Sequence, residues 1–254
     1  MLTVLRVATL AVALLAAQHA HAQEPVLAAD DFGGSEIEGW RRLDRPGTWP
    51  SSLGDARVGS GLLLLRPAIS PGSKALQELP GLFLYRDIEG DFEVTARVRI
   101  GGATGAIAEG ENLQVGVLGR LPRATSAADW NLDREVWRST SAGFLKFASG
   151  SLVEAALVSA RGEVRQPHVD AIPRRSGWIE LRLVRQGDRF TSAMRQEGET
   201  EWTPMRTLAS ASGPAMQVGV FAQGSRGGSS ENPQTSLSST AIEVDWVRIA
   251  RPAP

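Results

Sequence analysis

The sequence of 254 residues contains no cysteine, three histidines and one tyrosine. Without cysteine the chain can form no disulfide framework and offers no thiolate to zinc or iron, so a hydrophobic core must hold the fold together. His19 and His21 lie in a segment that we expect to be removed, which leaves His168. Zinc sites of the usual kinds are therefore excluded, and a Ser-His-Asp triad would depend on His168 alone.

The sequence also lacks an excess of charge and a second long apolar run. Its formal net charge is −1, so electrostatics give no reason to expect nucleic acid or anionic lipid as a partner. Beyond the N-terminal segment, no apolar stretch approaches the roughly 20 residues that a membrane-spanning helix needs. We therefore expect no nucleic-acid partner and no membrane span in the mature chain.

The first residues are typical of a secretory signal peptide. Arg6 gives a short positive region, residues 7–17 are apolar, and Ala20 and Ala22 are small residues before a cleavage point. We predict cleavage after Ala22 and a periplasmic or secreted protein, organised as signal peptide 1–22 and one domain 23–254. An N-terminal membrane anchor is the alternative. A lipid-anchored lipoprotein is excluded because no cysteine follows.

The mature chain is rich in short segments of alternating polarity. In the stretch "DFEVTARVRI", Phe92, Val94, Ala96, Val98 and Ile100 alternate with charged and polar residues, which predicts a half-buried strand. Residues 177–194 predict a hairpin with its turn at Gly187-Asp188. Helical signals are poor and no repeat of fixed period is evident. The pattern favours one all-β domain, an antiparallel sandwich or jelly roll of two sheets.

Three segments between these strands are predicted to be surface loops. They are 66–74, 120–141 and 223–239, each rich in polar, proline or glycine residues. A strand is predicted at 142–149, directly after the second of these loops. None of the three resembles a linker between domains, which supports a single domain.

The order of these elements resembles the concanavalin-A-like (laminin-G-like) jelly rolls of secreted bacterial proteins, such as accessory C-terminal domains of β-xylosidases. The resemblance lies in "DDF", "GLFLYRDIEGDFEVTARV", "LQVGVLGR", "WIELRLVRQGDRFTSAMRQEGETEW" and "IEVDWVRI". It implies that the first and last strands pair, which would place "DDF" beside "VDW". Family members often carry Ser-x-Asp-Gly before the late tryptophan, and here residues 195–198 read Arg-Gln-Glu-Gly.

The seven tryptophans fall into two groups by their position in the sequence. Five lie at or near predicted strands, where core packing is the default: Trp40, Trp49, Trp178, Trp202 and Trp246. The charged row of residues 91–99 contains no aromatic residue, so we interpret it as a solvated sheet face.

Two tryptophans lie in the polar stretch "ADWNLDREVWRS" instead. They give the predicted ligand-binding set of Trp130, Asn131, Asp133, Trp137 and Arg138, because exposed aromatics among hydrogen-bonding side chains are typical of sugar recognition. The alternative is that both indoles anchor the loop onto the sandwich.

Acidic residues offer little catalytic chemistry. Glu243 and Asp245 occupy two positions of the Glu-x-Asp-x-x-Glu pattern of laminarinase-type jelly-roll glucanases, but the third position is Arg248. We interpret Glu243 and Asp245 as structural. A lyase reading would need Tyr85 and His168 to converge on one cleft.

A calcium site is the remaining prediction. Asp30 and Asp31 would lie near Asp245 if the first and last strands pair, and oxygen ligands on adjacent strands suit Ca²⁺. The alternative is that Asp30 and Asp31 are surface or turn carboxylates.

Taken together, the sequence predicts a secreted, monomeric glycan-binding or lectin-like module without evident catalytic machinery, whose partner is a polysaccharide or oligosaccharide. One alternative is a polysaccharide-active enzyme that uses carboxylates of 129–135, or Glu109 and Glu111. Another is a domain that binds a protein through a sheet face. Two converging buried carboxylates would favour the enzyme, and a large apolar patch would favour the protein partner.

Overall fold

The computed structural model of the chain describes residues 25–43, 54–71, 82–123, 136–144, 151–158, 168–172, 177–210, 213–226 and 236–253. These residues form an all-β structure. In chain order its strands are β1 (Val26–Asp30), β2 (Arg41–Arg42), β3 (Asp55–Gly59), β4 (Leu62–Arg66), β5 (Ala68–Pro71), β6 (Leu82–Glu89), β7 (Phe92–Ile100), β8 (Glu111–Arg120), β9 (Trp137–Phe144), β10 (Ser151–Val158), β11 (His168–Ile172), β12 (Ile179–Gln186), β13 (Arg189–Gln196), β14 (Thr203–Ala209), β15 (Ala215–Arg226), β16 (Ser236–Leu237) and β17 (Ile242–Ala250).

Within the described residues these strands form two sheets. The eight-stranded sheet has the order β14-β13-β12-β7-β17-β4-β3, with β1 also paired to β17. The nine-stranded sheet has the order β11-β10-β9-β8-β15-β5-β16, with β6 paired to β15 and to β2. The pairings are antiparallel except that of β5 with β15. No helix in the described part of the chain is long and apolar enough to cross a membrane.

The two sheets share one hydrophobic core. Strand β7 buries the face that its alternation predicts, and Phe92, Val94, Ala96 and Val98 are at most 1 % exposed. They belong to one cluster with Leu183 and Val247 of the same sheet and with Leu84, Val115 and Val218 of the nine-stranded sheet. Burial of each large apolar side chain contributes about 1.5–3 kcal/mol, so this interface is the main source of stability.

The chain passes from one sheet to the other at Gly90. Strands β6 and β7 flank this residue but belong to different sheets. Gly90 has a φ of 71°, a conformation that glycine adopts without a Cβ clash. The Arg251 guanidinium donates hydrogen bonds to the carbonyl oxygens of Glu89 and Asp91, both at 2.7 Å, and so fixes the corner on either side of the glycine.

Two predicted pairings are confirmed. Strands β12 and β13 form the hairpin, with Gln186 opposite Arg189 across the Gly187-Asp188 turn. The first and last strands also pair, with Asp30 opposite Val247.

The predicted loops are wrong in part. Strand β9 begins at Trp137, inside the predicted loop 120–141, and ends at Phe144, so the strand predicted at 142–149 starts five residues too late. Strand β5 crosses the predicted loop 66–74, and β15 continues to Arg226, into the predicted loop 223–239. In β9 both faces are buried and polar, because Arg138 and Thr140 alternate with Ser139 and Ser141, so no polarity alternation marks the strand.

Candidate functional site

The predicted ligand-binding set divides into two parts in the structure. Trp130, Asn131 and Asp133 lie outside the described residues. Trp137 and Arg138 are consecutive residues of β9 and therefore point to opposite sides of the nine-stranded sheet.

Trp137 is buried rather than exposed. It is 3 % exposed and belongs to a cluster with Leu43, Phe83, Tyr85, Leu118 and Phe221. The Phe83 and Tyr85 rings stack there with centroids 5.3 Å apart. The expectation that Trp137 presents an open ring to a ligand is wrong, because aromatic side chains from β6 and β15 pack around it.

Arg138 points into the sandwich. Its guanidinium lies 5.1 Å from the Phe190 ring centroid, and it donates hydrogen bonds to the Trp137 carbonyl at 3.0 Å and to the Ser210 hydroxyl. Burial lowers the pKa of Arg138 to about 10, so the side chain stays charged at neutral pH. At 1 % exposure Arg138 lies inside the sandwich and not on the exposed loop surface where it was predicted.

The polar residues beside Trp137 are also interior. Gln114 donates to the Ser141 hydroxyl at 2.7 Å and accepts from Gln223, while Arg120 donates to Gln217 at 2.6 Å. All five side chains are at most 9 % exposed. These five described side chains therefore form a buried, hydrogen-bonded group beside Trp137.

The predicted calcium ligands have other partners. Asp30 accepts hydrogen bonds from the Phe32 amide at 2.8 Å and from the Trp40 indole at 3.1 Å. Asp31 accepts from the Gly33 amide at 3.2 Å, and Asp245 holds Arg97 at 2.6 Å. The described residues contain no group of three His, Cys, Asp or Glu side chains that could hold a metal ion. The described structure therefore does not bring Asp30, Asp31 and Asp245 together as one set of cation ligands.

The carboxylates suggested for an enzyme do not converge either. Glu111 is 3 % exposed and accepts hydrogen bonds from the Ser238 hydroxyl at 2.7 Å, the Ser239 amide at 2.9 Å and the Thr240 amide at 3.4 Å. Glu109 is exposed in the turn before it. Glu111 thus fixes the segment that leads into β17, and the carboxylates of 129–135 lie outside the described residues.

Tyr85 and His168 belong to distant strands. His168 is the first residue of β11. Four strands separate β11 from β6, which carries Tyr85, so the two residues lie about 24 Å apart along the sheet. The structure therefore gives no support to a Tyr85–His168 proton-transfer pair.

An accessible constellation lies on the other sheet, on the charged side of β7. Trp178 directly precedes β12, and its carbonyl accepts a hydrogen bond from the Glu197 amide at 3.0 Å. Its ring lies 4.3 Å from the Arg99 guanidinium and 4.9 Å from that of Arg97. Both distances are within the range of cation–π attraction, so the two guanidiniums hold the indole against the charged side of β7.

Trp202 repeats this arrangement two strands away. It lies between β13 and β14, and its ring centroid is 4.7 Å from the Arg195 guanidinium and 5.5 Å from that of Arg182. Both tryptophans are half-buried.

Trp246 completes the set. The register of β17 against β7 shifts between Val244 and Trp246, and this bulge places Trp246 opposite Arg97 on the charged side. From there one cross-strand row continues from Arg97 to Glu180 and on to Arg195, against which Trp202 lies. We call Trp178, Trp202 and Trp246, with the arginines Arg97, Arg99, Arg182 and Arg195, the tryptophan face.

The tryptophan face corrects two predictions. The charged row is not simply solvated, because indoles from other elements cover its arginines. Trp178, Trp202 and Trp246 are not core residues. Part of the signal was in the sequence: Trp178 has the same strand parity as Glu180 and Arg182, which are on the charged side. The bulge at Trp246 breaks the alternation and has no comparable signal.

No protein-family model and no curated protein matches the sequence. Solved structures do match. A functionally unknown protein from Saccharomyces cerevisiae is 11 % identical with a TM-score of 0.56, over 87 % of this chain and 100 % of that one. A pseudo β-1,3-glucanase and immunostimulatory antigen of Mycobacterium tuberculosis is 13 % identical with a TM-score of 0.54, over 90 % and 99 %.

Another match is to part of a larger enzyme. Xylan β-1,4-xylosidase from Bacillus halodurans is 15 % identical with a TM-score of 0.55, and the match covers 88 % of this chain but 39 % of the xylosidase. At these identities the likeness is one of fold. These neighbours and the two antiparallel sheets identify the architecture as an all-β sandwich.

Proposed function

We propose that this chain is an exported glycan-binding module with a concanavalin-A-like jelly roll, and that it binds sugar through the tryptophan face. One observation carries the proposal: two half-buried indoles, Trp178 and Trp202, each lie against two arginine guanidiniums at 4.3–5.5 Å. The apolar face of a pyranose stacks on such a ring. The surrounding guanidinium and carboxylate groups offer hydrogen bonds to its hydroxyls.

The size of the face suits an extended ligand. Trp246 lies on β17, and the Trp202 ring lies over arginines of β12 and β13, two to three strand spacings away, which is about 10–14 Å. Trp178 lies between them, at the start of β12. Three rings over this distance can contact several sugars of one chain, so we expect a polysaccharide or oligosaccharide rather than a monosaccharide.

The ion pairing of its carboxylates favours binding over catalysis on this face. Asp245 and Glu243, the carboxylates nearest Trp246, each hold an arginine at 2.6 Å. Glycoside hydrolysis needs one carboxyl group free to donate a proton and another free to attack or to activate water. The described carboxylates of the tryptophan face are instead engaged in ion pairs.

A sugar ligand also fits this face better than a protein partner does. The large apolar residues that are exposed in the described chain are Val26 and Leu27 on β1 and Leu237 on β16, and none is on β7, β12 or β13, whose arginines contact the indoles. Protein interfaces usually have an apolar centre. The fold likeness to a segment of a xylosidase and to a pseudo β-1,3-glucanase supports the same choice.

The test is a glycan array on the mature protein, run with and without Ca²⁺, followed by calorimetric titration of the polysaccharides that bind. Trp178→Ala and Trp202→Ala should each weaken binding about thirtyfold, because loss of an aromatic anchor typically costs about 2 kcal/mol. Each ring also contacts two guanidiniums, and one such contact is worth about 0.5–1 kcal/mol at an exposed site, so its removal should lower the melting temperature by only a few degrees.

Trp137→Phe is the matched control. It removes an indole that is 3 % exposed, so it should lower the melting temperature and leave glycan affinity intact. The proposal fails if the array shows no ligand, or if both surface variants bind as tightly as the wild type. Trp130 can be tested in the same titration, since its predicted role in binding stays a prediction.

A further inference from the structure

We infer that the tryptophan face selects uncharged glycans and rejects acidic ones. This inference rests on the proposed function and adds to it the chemical class of the ligand. Its basis is that the arginines that hold the indoles are already neutralised by carboxylates of the same sheet.

The pairing is most complete around Trp178. Arg97 holds Asp245 at 2.6 Å and Glu197 at 2.8 Å, and Arg99 holds Glu243 at 2.6 Å. The guanidiniums of Arg97 and Arg99 therefore contact the Trp178 ring while their positive charges are neutralised by carboxylates. A ligand on this ring would meet no unpaired positive charge from either arginine.

The pairing continues under Trp202. Arg182 is paired with Glu93 and Arg195 with Glu180, and all four side chains are less than a third exposed. In the part of the chain that the structure describes, these four arginines meet five carboxylates in all: Glu93, Glu180, Glu197, Glu243 and Asp245. Each of these four arginines thus has a carboxylate partner, and the carboxylates outnumber the arginines by one.

An acidic sugar would meet two penalties on this surface. Its carboxylate would have to displace an existing partner from a guanidinium, and it would approach carboxylates such as Glu197, whose side chain is 51 % exposed. Like charges brought together without a partner are repelled, and the cost grows as water is removed. A neutral sugar leaves every ion pair in place and can still exchange hydrogen bonds with the pairs.

Arg248 is the exception to this pairing. No ion pair among the described residues involves it, and its buried Nε has no hydrogen-bond partner. It lies opposite Thr95, in the row of same-face residues next to the row of Trp246 and Arg97. Arg248 is therefore the place where an acidic ligand would find a free cation, and the experiment must include it.

The experiment compares matched glycans by calorimetric titration. The probes are linear xylan against glucuronoxylan, and laminarin against laminarin oxidised at C6 to the uronate, each at 50 and 500 mM NaCl. We expect the neutral member of a bound pair to bind at least tenfold more tightly, with less than a twofold change between the two salt concentrations, because screening acts on charge and not on stacking.

Two substitutions that each remove one negative charge test whether the paired carboxylates cause the rejection of acidic glycans. Glu243→Gln leaves Arg99 without its carboxylate and should raise affinity for the acidic member at least threefold at 50 mM NaCl. Glu89→Gln, on β6 of the other sheet, should not change it. Arg248→Gln should leave affinity for the neutral member unchanged.

Three results would overturn the inference. The first is an acidic member that binds as tightly as its neutral counterpart and loses affinity at high salt. The second is binding of the acidic glycan that is lost in the Arg248→Gln variant. The third is an affinity for the acidic glycan that is the same in Glu243→Gln as in the wild type. Absence of binding to every neutral and acidic glycan, on the array as well as here, is a different outcome, because it overturns the proposed function itself.

Discussion

At the scale of single residues, Glu111 shows how a buried carboxylate can be structural. It is 3 % exposed, and three donors of residues 238–240 converge on its two oxygens. Glu111→Gln should lower the free energy of unfolding by about 1–3 kcal/mol, because the amide nitrogen of glutamine would face one of these donors and leave it unsatisfied. Urea unfolding followed by circular dichroism measures the change.

Glu109→Gln is the matched control for this substitution. Glu109 is exposed, so the same chemical change there should stay within about 0.5 kcal/mol. Equal effects at the two positions would show that Glu111 does not hold the segment before β17.

Tryptophan is the residue whose position the sequence predicted least well. Trp137 stands in a polar stretch, yet Phe83, Tyr85 and Phe221 surround it from strands far away in sequence. Trp178 stands beside a strand, yet it lies on the arginines of β7. An indole has enough apolar area and a polar N–H to suit either environment, so its exposure depends on long-range neighbours that local periodicity does not contain.

At the scale of elements, the sequence predicted strands whose two faces differ in polarity. β7 and β12 each bury an apolar face and expose a charged one, and both were located within one or two residues. β9 and the end of β15 bury polar side chains on the sheet side that faces away from the core. Alternation of polarity is lost there, because hydrogen bonds among Gln114, Ser141 and Gln223 replace contact with water.

The same side of the nine-stranded sheet depends on a glycine. A Cβ on Gly219 of β15 would lie 2.0 Å from the Leu84 carbonyl oxygen and 2.9 Å from the Tyr85 Cα of β6. Because these are backbone atoms, Gly219→Ala can be accommodated only if β15 and β6 separate. We expect a loss of more than about 3 kcal/mol in the free energy of unfolding, near the upper end of single-substitution effects.

Gly59→Ala provides the comparison within a strand. A Cβ there would lie 3.5 Å from the Leu64 Cδ1, an ordinary contact. Removing backbone freedom from the unfolded chain then stabilises by about 0.4–1 kcal/mol. If chemical denaturation shows both alanine variants to be as stable as the wild type, β6 and β15 do not approach each other as described.

At the scale of the whole molecule, the fold class was predicted more completely than the binding surface. The fold follows from the sum of many alternating segments, and errors in single loops do not alter it. The tryptophan face instead depends on one register, in which Trp246, Arg97, Glu180 and Arg195 fall into a single row. Such a row depends on which strands are neighbours in the folded sheet. The local sequence pattern does not contain that information.

The shared core leads to a prediction about unfolding. Apolar residues of both sheets form one cluster, so neither sheet keeps a buried face when the other is lost. We therefore expect the single domain predicted for 23–254 to unfold in one cooperative step. Trp137 on the nine-stranded sheet and Trp178 on the eight-stranded sheet are natural reporters of the two halves.

Protein labelled with 5-fluorotryptophan gives each of the seven indoles its own ¹⁹F resonance. Trp137→Phe and Trp178→Phe assign the two reporters by the signal that disappears. In a urea titration both native resonances should lose intensity with one midpoint and one slope, because both sheets expose the same core at the same moment. Midpoints that differ by more than the experimental error would mean that the sheets unfold separately, and the prediction of a single cooperative domain would then be wrong.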